Sequence, residues 1–516
     1  MKSLDNSFSS ESEQFRILQT RLPHHGLELE DFGDEEIDIL VVPSISLNQE
    51  DAQTILGIQH WEERLLPYLA LLKYPNIRLV YVTSQPLHPA LVDYYLHILL
   101  GVTFSNSDIS DRLIFFSTYD SSFNPLSSKI IERPRLIQQI RQVLKLEKSL
   151  MLCYVSTSLE RELSIKLQVP LFSLDPDLQY WGTKGGSQQI FRECGISHPD
   201  GSQVVWNIKD LATVAAELWN RHPNLTRMMI KLNEGIGGLG SAILDLTKVQ
   251  HLASKDTKQV EKVEAIYSQF DSVTFQNKSE NWANFINRIQ EQGAIIEIYI
   301  DGNEKRSPSV QGVITPDGEV KIISTHEQIL GGSDSLLFQG CTFPADVAYQ
   351  LEIREYGLKI GKNLAQKGVI GNFSIDFLAV LQSDEIGTSC WNCHAVEINL
   401  RKGGTSHPFL LLKFLTNGYH DINTGLFYSR KGLPKYYITS EQIHERNSYR
   451  GLLPDQLIDI MTVQKLHFNS NTETGTVFHM MGALSEFGKI GITSIGNSSQ
   501  EAKNHFDRVM KALEEI

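Results

Sequence analysis

Asp376, Glu397, Asn399 and Arg401 are the residues of this 516-residue chain whose types and spacing most directly suggest chemistry. They lie in two stretches, 371–380 (GNFSIDFLAV) and 394–408 (HAVEINLRKGGTSHP). Both stretches read as strands, because apolar side chains alternate at period two. Phe373, Ile375, Phe377 and Ala379 share one face of the first strand, with Asp376 on the other. Val396, Ile398 and Leu400 share one face of the second, with Glu397, Asn399 and Arg401 opposite. If the strands pair, three oxygen donors and a guanidinium meet on one side of a sheet whose back is apolar. Hard oxygen donors of this kind suit Mg²⁺, which is commonly held by one or two carboxylates together with substrate phosphates. A half-exposed hairpin with a polar solvent face fits the same pattern. A phosphate loop and a base-binding strand upstream favour the metal–nucleotide reading.

The upstream stretch 227–244 (RMMIKLNEGIGGLGSAIL) supplies the loop. MMIKL reads as a strand, GIGGLGS as a glycine-rich hairpin and AIL as the returning strand. Gly235, Gly237, Gly238 and Gly240 allow backbone N–H groups close to an anion, and Lys231 reaches a phosphate oxygen from the strand. This is not a Walker A loop, since the lysine precedes the glycines and no helix-opening GK[ST] follows. Lys184 stands just before a short helix that ends at Gly195, near the electropositive N-terminus where anions bind. Further on, 294–307 (AIIEIYIDGNEKRS) is an apolar strand leaving at Asp301-Gly302. Its backbone at Glu297 to Ile300 can meet an adenine edge, and Glu304 can meet ribose hydroxyls.

These stretches need a scaffold. From Ile37 to Leu174, apolar strands (37–47, 77–84, 113–117, 151–157, 169–174) alternate with helices. One helix is an amphipathic segment around Trp61 to Leu72. Alternation of this kind implies a mostly parallel α/β sheet. It carries no G-x-G-x-x-G fingerprint, so it reads as a platform rather than a dinucleotide site. A linker at 174–186 breaks the pattern. A polar, helical insert spans 248–287, a hairpin turns at Pro316-Asp317-Gly318, and a helix at 345–367 leads into the Gly371 strand. Beyond Pro408 come a helix ending at Gly418 and a small α+β region with strands at YYITSEQ, GTVFHMM and GKIGITSIG.

The totals set bounds. A net charge of −14 disfavours nucleic acid and anionic membrane as general partners. No apolar run reaches the length of a membrane span, and residues 1–15 lack a hydrophobic signal core. Five cysteines, an odd number, argue against a disulfide framework and for a reducing cytoplasm. Cys390 and Cys393, with His394 adjacent, have neither a second ligand pair nor a following helix, so a structural role is expected.

Lys231 with its glycine-rich hairpin, the acidic hinge strand and Asp…Glu-x-Asn, in that order, resemble the ATP-grasp superfamily of ATP-dependent carboxylate–amine ligases. Within it, KLNEGIGGLGS, EINLRKGGTSHPF and GTVFHMMGALSEFGKIGITSIG are similar to the pheganomycin-type peptide ligases. The resemblance implies a multidomain α/β and α+β chain. It would have a pre-ATP-grasp α/β domain at 1–175, a two-lobed ATP-grasp domain at 176–415 and a C-terminal α+β domain at 416–516. It implies ATP and Mg²⁺ as cofactors. Lys184 and Lys231 then hold nucleotide phosphates under the Gly235 to Ser241 loop. Glu297, Tyr299 and Ile300 form the adenine hinge, Glu304 binds ribose, and Asp376, Glu397 and Asn399 bind Mg²⁺. Arg401 stands near the transferred phosphate and substrate carboxylate, with Gly403, Gly404, Thr405 and Ser406 beside the substrate. Ser374 occupies a position where several such ligases have an arginine, which leaves Arg401 to carry that role alone. A third phosphate cation is open between Lys321 and His326.

The expected activity is amide formation from a small carboxylate and an amine, each an amino acid or peptide, through an acyl phosphate. The same site also suits a kinase acting on a small-molecule hydroxyl, or a nucleotide-binding regulator, although an intact metal set argues against the latter. The oligomeric state stays open, with a homodimer among the options.

Overall fold

The computed structural model describes residues 10–23, 35–47, 52–53, 55–235, 240–275, 280–302, 304–331, 337–383, 389–421, 424–441 and 447–515. β1 (Ile37–Val42), β2 (Ile77–Thr83), β3 (Leu113–Ser117) and β4 (Ser149–Cys153) form a parallel sheet of order β3-β2-β1-β4. The near-continuous burial of β1, β2 and β4 is what a parallel sheet covered by helices on both faces requires, while the edge strand β3 is half-buried beyond Leu113. Two sequence expectations change here. The stretch 169–174 adds no strand and meets β4 through a single bridge, Leu171 to Met151. The segment around Trp61 is a 3-10 helix, Ile58–Lys73, buried on all sides from Glu62 to Leu72 rather than amphipathic. Pro67 inside it has no N–H for an α-helical bond. Its surroundings explain the burial, since one apolar core joins it to the parallel sheet and to residues between Leu411 and Leu513.

A small antiparallel sheet follows, in the order β7-β6-β5-β8: β5 (Arg227–Leu232), β6 (Ser241–Asp245), β7 (Thr274–Phe275) and β8 (Ala294–Ile298). Met228, Ile230 and Leu232 turn into a core built on Trp219, while Met229 and Lys231 take the opposite face.

The large sheet holds nine strands among the described residues. β9 (Lys305–Arg306), β10 (Pro308–Ile314), β11 (Val320–Gly331), β12 (Leu337–Phe343), β13 (Gly371–Ser383) and β14 (Ser389–Asn399) precede a separate two-stranded ribbon, β15 (Tyr419–His420) with β16 (Phe427–Tyr428). β17 (Tyr436–Ser440), β18 (Gly475–His479) and β19 (Gly491–Gly496) then rejoin the same sheet, in the order β14-β13-β10-β11-β12-β17-β19-β18. The strands of the C-terminal α+β region thus extend the central sheet through the β12–β17 pairing, Phe343 to Tyr437 among it. The Gln350–Gln366 helix packs on one face of the sheet, over Phe373, Ile375 and Phe377. No helix among the described residues is long and apolar enough to cross a membrane.

Candidate active site

β13 and β14 pair antiparallel, with Asp376 opposite Glu397 and Ser374 opposite Asn399. The register shifts between Asp376 and Phe377, so that Phe377 faces Ala395. A bulge of this kind sets two residues of one strand against one of the other. It corrects one expectation: Ala395, rather than Val396, joins Ile398 and Leu400 in the core, and Val396 is half-buried. Phe373, Ile375, Phe377 and Ala379 are all buried as expected.

On the polar face the four residues come together. Asn399 Nδ2 donates to Asp376 Oδ2 (3.1 Å), and Arg401 Nη2 donates to Asn399 Oδ1 (3.0 Å). Burial and then Glu397 push the Asp376 carboxyl up to about 7. Two crowded carboxylates beside an amide oxygen form a donor set that fits a hard dication, which would relieve their repulsion.

Lys184 joins this strand pair to the hairpin. It opens the Lys184–Cys194 helix, three residues earlier than the helix start at Ser187 expected from sequence, because Thr183 caps that helix by accepting from Gly186 N. Ser187 Oγ accepts from Ile398 N (3.0 Å), which seats the helix against β14. The buried Lys184 Nζ then lies 2.5 Å from Glu397 Oε1 and donates to the Gly235 carbonyl (3.0 Å). Gly235 and Gly240 close the neck of the hairpin: a Cβ on Gly240 would sit 3.1 Å from Gly235 Cα and 3.0 Å from Leu232 Cβ. Ser241 pairs with Lys231 across β5 and β6. Gly237 and Gly238 lie outside the described residues.

Lys231 Nζ sits 2.5 Å from Glu297 Oε2, and Gln188 Nε2 donates to Glu297 Oε1 (2.9 Å). Glu297 therefore contributes a buried side chain, beyond the backbone role expected for it. Arg227 Cζ lies 4.1 Å and Lys305 Nζ 4.5 Å from the centre of the Tyr299 ring, and Lys305 Nζ also donates to the Ile300 carbonyl (2.7 Å). Glu304 is exposed and ion-paired with Arg306 (2.8 Å). Its neighbour Lys305 pairs with Val380, four positions along β13 from Asp376.

In the loop after Arg401, Gly403 N donates to Ser406 Oγ (2.9 Å), Thr405 is buried, and Gly404 packs so closely on Phe338 that a Cβ would approach its ring to 2.8 Å. Lys402 turns away into the platform, its Nζ donating to the Cys153 carbonyl (3.1 Å). His326 is ruled out as a phosphate ligand of the usual charged kind. It is fully buried, 2.5 Å from the Tyr437 hydroxyl, and burial lowers its pKa to about 3. Lys321 pairs with Glu319 (3.3 Å) near the far end of β11. Cys390 and Cys393 are free thiols on β14, the first exposed and the second buried. Sequence reasoning missed Gln328, whose Nε2 donates to Asp376 Oδ1 (2.7 Å). Its signal was the alternation of β11, which puts it on the Asp376 side once β10 pairs with both strands.

Residues 177–423 match the family described as IQCH-like, ATP-grasp, and residues 456–509 match the PGM1 C-terminal domain. L-propargylglycine–L-glutamate ligase of Streptantibioticus cattleyicolor is 26% identical over 462 residues, 88% of this chain and 89% of that protein. IQ motif-containing protein H of Danio rerio is 23% identical over 421 residues, 74% of this chain but 39% of that protein. Among solved structures, the biotin carboxylase domain dimer of Hydrogenobacter thermophilus 2-oxoglutarate carboxylase, crystallised with MgADP, ADP and bicarbonate, superposes with a TM-score of 0.52 at 12% identity. That likeness covers 92% of this chain and 89% of that one. The chain has the ATP-grasp fold, with a parallel α/β domain before it. Its residues 177–423 are thus similar to an ATP-grasp family, and a distant relative over most of the chain is named as a ligase of L-propargylglycine and L-glutamate.

The crowded carboxylates carry a pH prediction. Asp376 has a raised folded pKa, so without a cation its ionisation opposes folding. That loss is absent near pH 4, grows as pH rises and is complete above about 7. Asp376→Asn is therefore expected to melt higher than the parent at pH 8 without metal, with the difference closing as pH falls toward 4. Melting curves across this range, recorded with EDTA, check it; a pH-independent difference would refute the assignment.

Proposed function

We propose that this chain is an ATP- and Mg²⁺-dependent carboxylate–amine ligase of the pheganomycin type, joining amino acids or short peptides with release of ADP and phosphate. The observation that carries the reading is two runs of polar contacts that meet where Asp376 stands opposite Glu397 in the strand register. One runs from the Gly235 carbonyl through Lys184 to Glu397, the other from Asp376 through Asn399 to the Arg401 guanidinium. In this reading the hairpin cradles phosphate, the paired strands supply the metal ligands, and Arg401 is the carboxylate-binding cation. The amino-acid ligase relative, spanning most of both chains, supports amino-acid substrates.

In this reading a substrate carboxylate oxygen attacks the γ-phosphorus of ATP, the bond to ADP breaks, and an acyl phosphate forms. The amine then attacks the acyl carbon, phosphate leaves, and the ammonium proton passes to solvent or phosphate. Asp376, Glu397 and Asn399 hold Mg²⁺, which when bound neutralises charge on the phosphate oxygens. Lys184 and Lys231 bind phosphate oxygens and orient the nucleotide. Arg401 grips the planar carboxylate and then the acyl phosphate, a geometry that a fork of N–H donors matches. The Gly235 to Ser241 loop covers the phosphates and keeps water from the intermediate. Tyr299, Ile300 and Glu304 seat adenine and ribose, and Gly403 to Ser406 line the substrate side. The reaction runs in a reducing cytoplasm, where all five cysteines stay free.

Pairs of amino acids and dipeptides screened for ADP release, with mass spectrometry of the products, test this. A product lighter by one water than the sum of its two substrates is expected. A phosphorylated alcohol would make the protein a kinase, and no substrate-dependent ADP release would sink both readings.

A further inference from the structure

We propose that His407, Glu441 and His479 form a buried binding site for a transition-metal dication of the zinc class, separate from the nucleotide metal set. The three side chains are 1%, 6% and 0% exposed, and their ligand atoms all lie within 4.8 Å of one another. Glu441 Oε1 is 3.1 Å from His407 Nε2 and 3.6 Å from His479 Nδ1. Ligands about 2.0–2.1 Å from a tetrahedral zinc ion stand about 3.3 Å apart, so both spacings suit a shared ion.

The ring nitrogens support this independently. Despite its distance from Glu441, His407 Nε2 misses hydrogen-bond alignment, and neither of its ring nitrogens has a partner. His479 Nδ1 is likewise unpartnered. Its tautomer follows from its neighbours: Thr439 Oγ1 donates to the Ile492 carbonyl (3.0 Å), so in the 2.9 Å contact between the two threonines Thr493 is the donor. Thr493 Oγ1 then accepts from His479 Nε2–H (3.2 Å). The proton is fixed on Nε2 by an outer partner, as is usual for a metal-bound imidazole, and Nδ1 turns a lone pair toward a carboxylate oxygen. Two lone pairs facing each other in a dry interior repel unless a cation lies between them. Gly491 makes room for this ring, since a Cβ there would come within 2.1 Å of His479 Nδ1.

Arg64 selects the occupant. Its Nε donates to Glu441 Oε1 (2.9 Å) and its Nη2 to Oε2, which leaves Oε1 a second lone pair. With the carboxylate charge already balanced, the two imidazoles must carry the affinity. That favours zinc-class ions over Mg²⁺ and Ca²⁺, which prefer oxygen. The ion would bind together the Ile58–Lys73 helix, the first turn of the Ser406–Thr416 helix and the ends of β17 and β18.

Untagged full-length protein carrying Asp376→Asn, stripped with EDTA and dialysed, is titrated with Co²⁺ and then Zn²⁺. One equivalent of Co²⁺ is expected to give the visible absorption of an imidazole-bound ion, displaced by Zn²⁺ and untouched by excess Mg²⁺. Zn²⁺ should raise the melting temperature. His407→Gln and His479→Gln should each weaken binding by at least about 10²-fold, the scale of a lost outer partner or more. X-ray absorption of the zinc-loaded parent decides without variants, with two imidazoles and an oxygen ligand expected. Absence of stoichiometric Co²⁺ or Zn²⁺ binding, or an ion lacking imidazole ligands, overturns the proposal.

Discussion

Arg401→Lys is expected to bind ATP as the parent does, to melt within a degree or two of it, and to form amide more slowly by about 10²-fold or more, the scale of a lost transition-state donor. The alternative for an arginine on this strand is a staple to Glu397, but Glu397 is held by Lys184 at 2.5 Å. Among the described residues Arg401 makes no ion pair. It rests on the Asn399 amide oxygen and the Lys402 carbonyl (3.2 Å), which orient the guanidinium without neutralising it. A half-buried cation held by neutral acceptors is poised for an anion. Lysine keeps the charge but presents a point rather than a planar fork, so carboxylate capture suffers while the nucleotide contacts stay. Nucleotide affinity, melting temperature and single-turnover amide formation, measured together, separate the cases. Full amide-forming rate in a folded Arg401→Lys variant would remove Arg401 from the chemistry.

What was legible in the sequence was local. Strand alternation placed Asp376 opposite the buried Phe373 and Ile375, and glycine content marked the hairpin after Lys231. Both depend on residues close in the chain. The bulge beside Asp376 was not legible, because nothing in FSIDF or HAVEIN says which strand takes the extra residue. The partners of the two lysines were equally hidden: Lys184 reaches Glu397 and Lys231 reaches Glu297 through tertiary packing, and a single sequence carries no trace of those pairings. The strands β17 to β19 were recognised as strands, yet their membership of the central sheet rests on β12, which the sequence reading passed over. Glu441 shows the same limit most strongly, since Arg64, His407 and His479 come from three distant parts of the chain.

Lys231→Ala is expected to weaken ATP binding by about 10–10² fold, the value of one or two charge-assisted hydrogen bonds, and also to lower stability. The second effect is a consequence of Glu297, which the sequence places on the adenine hinge. Glu297 is 3% exposed, with Lys231 on one oxygen and Gln188 on the other. Removing the lysine leaves a buried carboxylate with one neutral donor, and breaking a buried pair from one side costs about 3–5 kcal/mol. The lysine keeps 15% of its side chain exposed, so the lower end of that range applies. The ammonium has three donors, so it can hold Glu297 and still reach a phosphate oxygen. The two roles separate in a double variant. Lys231→Met with Glu297→Gln removes the buried charge along with its partner, and should recover most of the lost melting temperature while ATP affinity stays low. Calorimetric ATP titrations and melting curves on the parent, both single variants and the double variant complete the cycle. Recovery of both stability and ATP affinity in the double variant would make Lys231 a partner of Glu297 and nothing more.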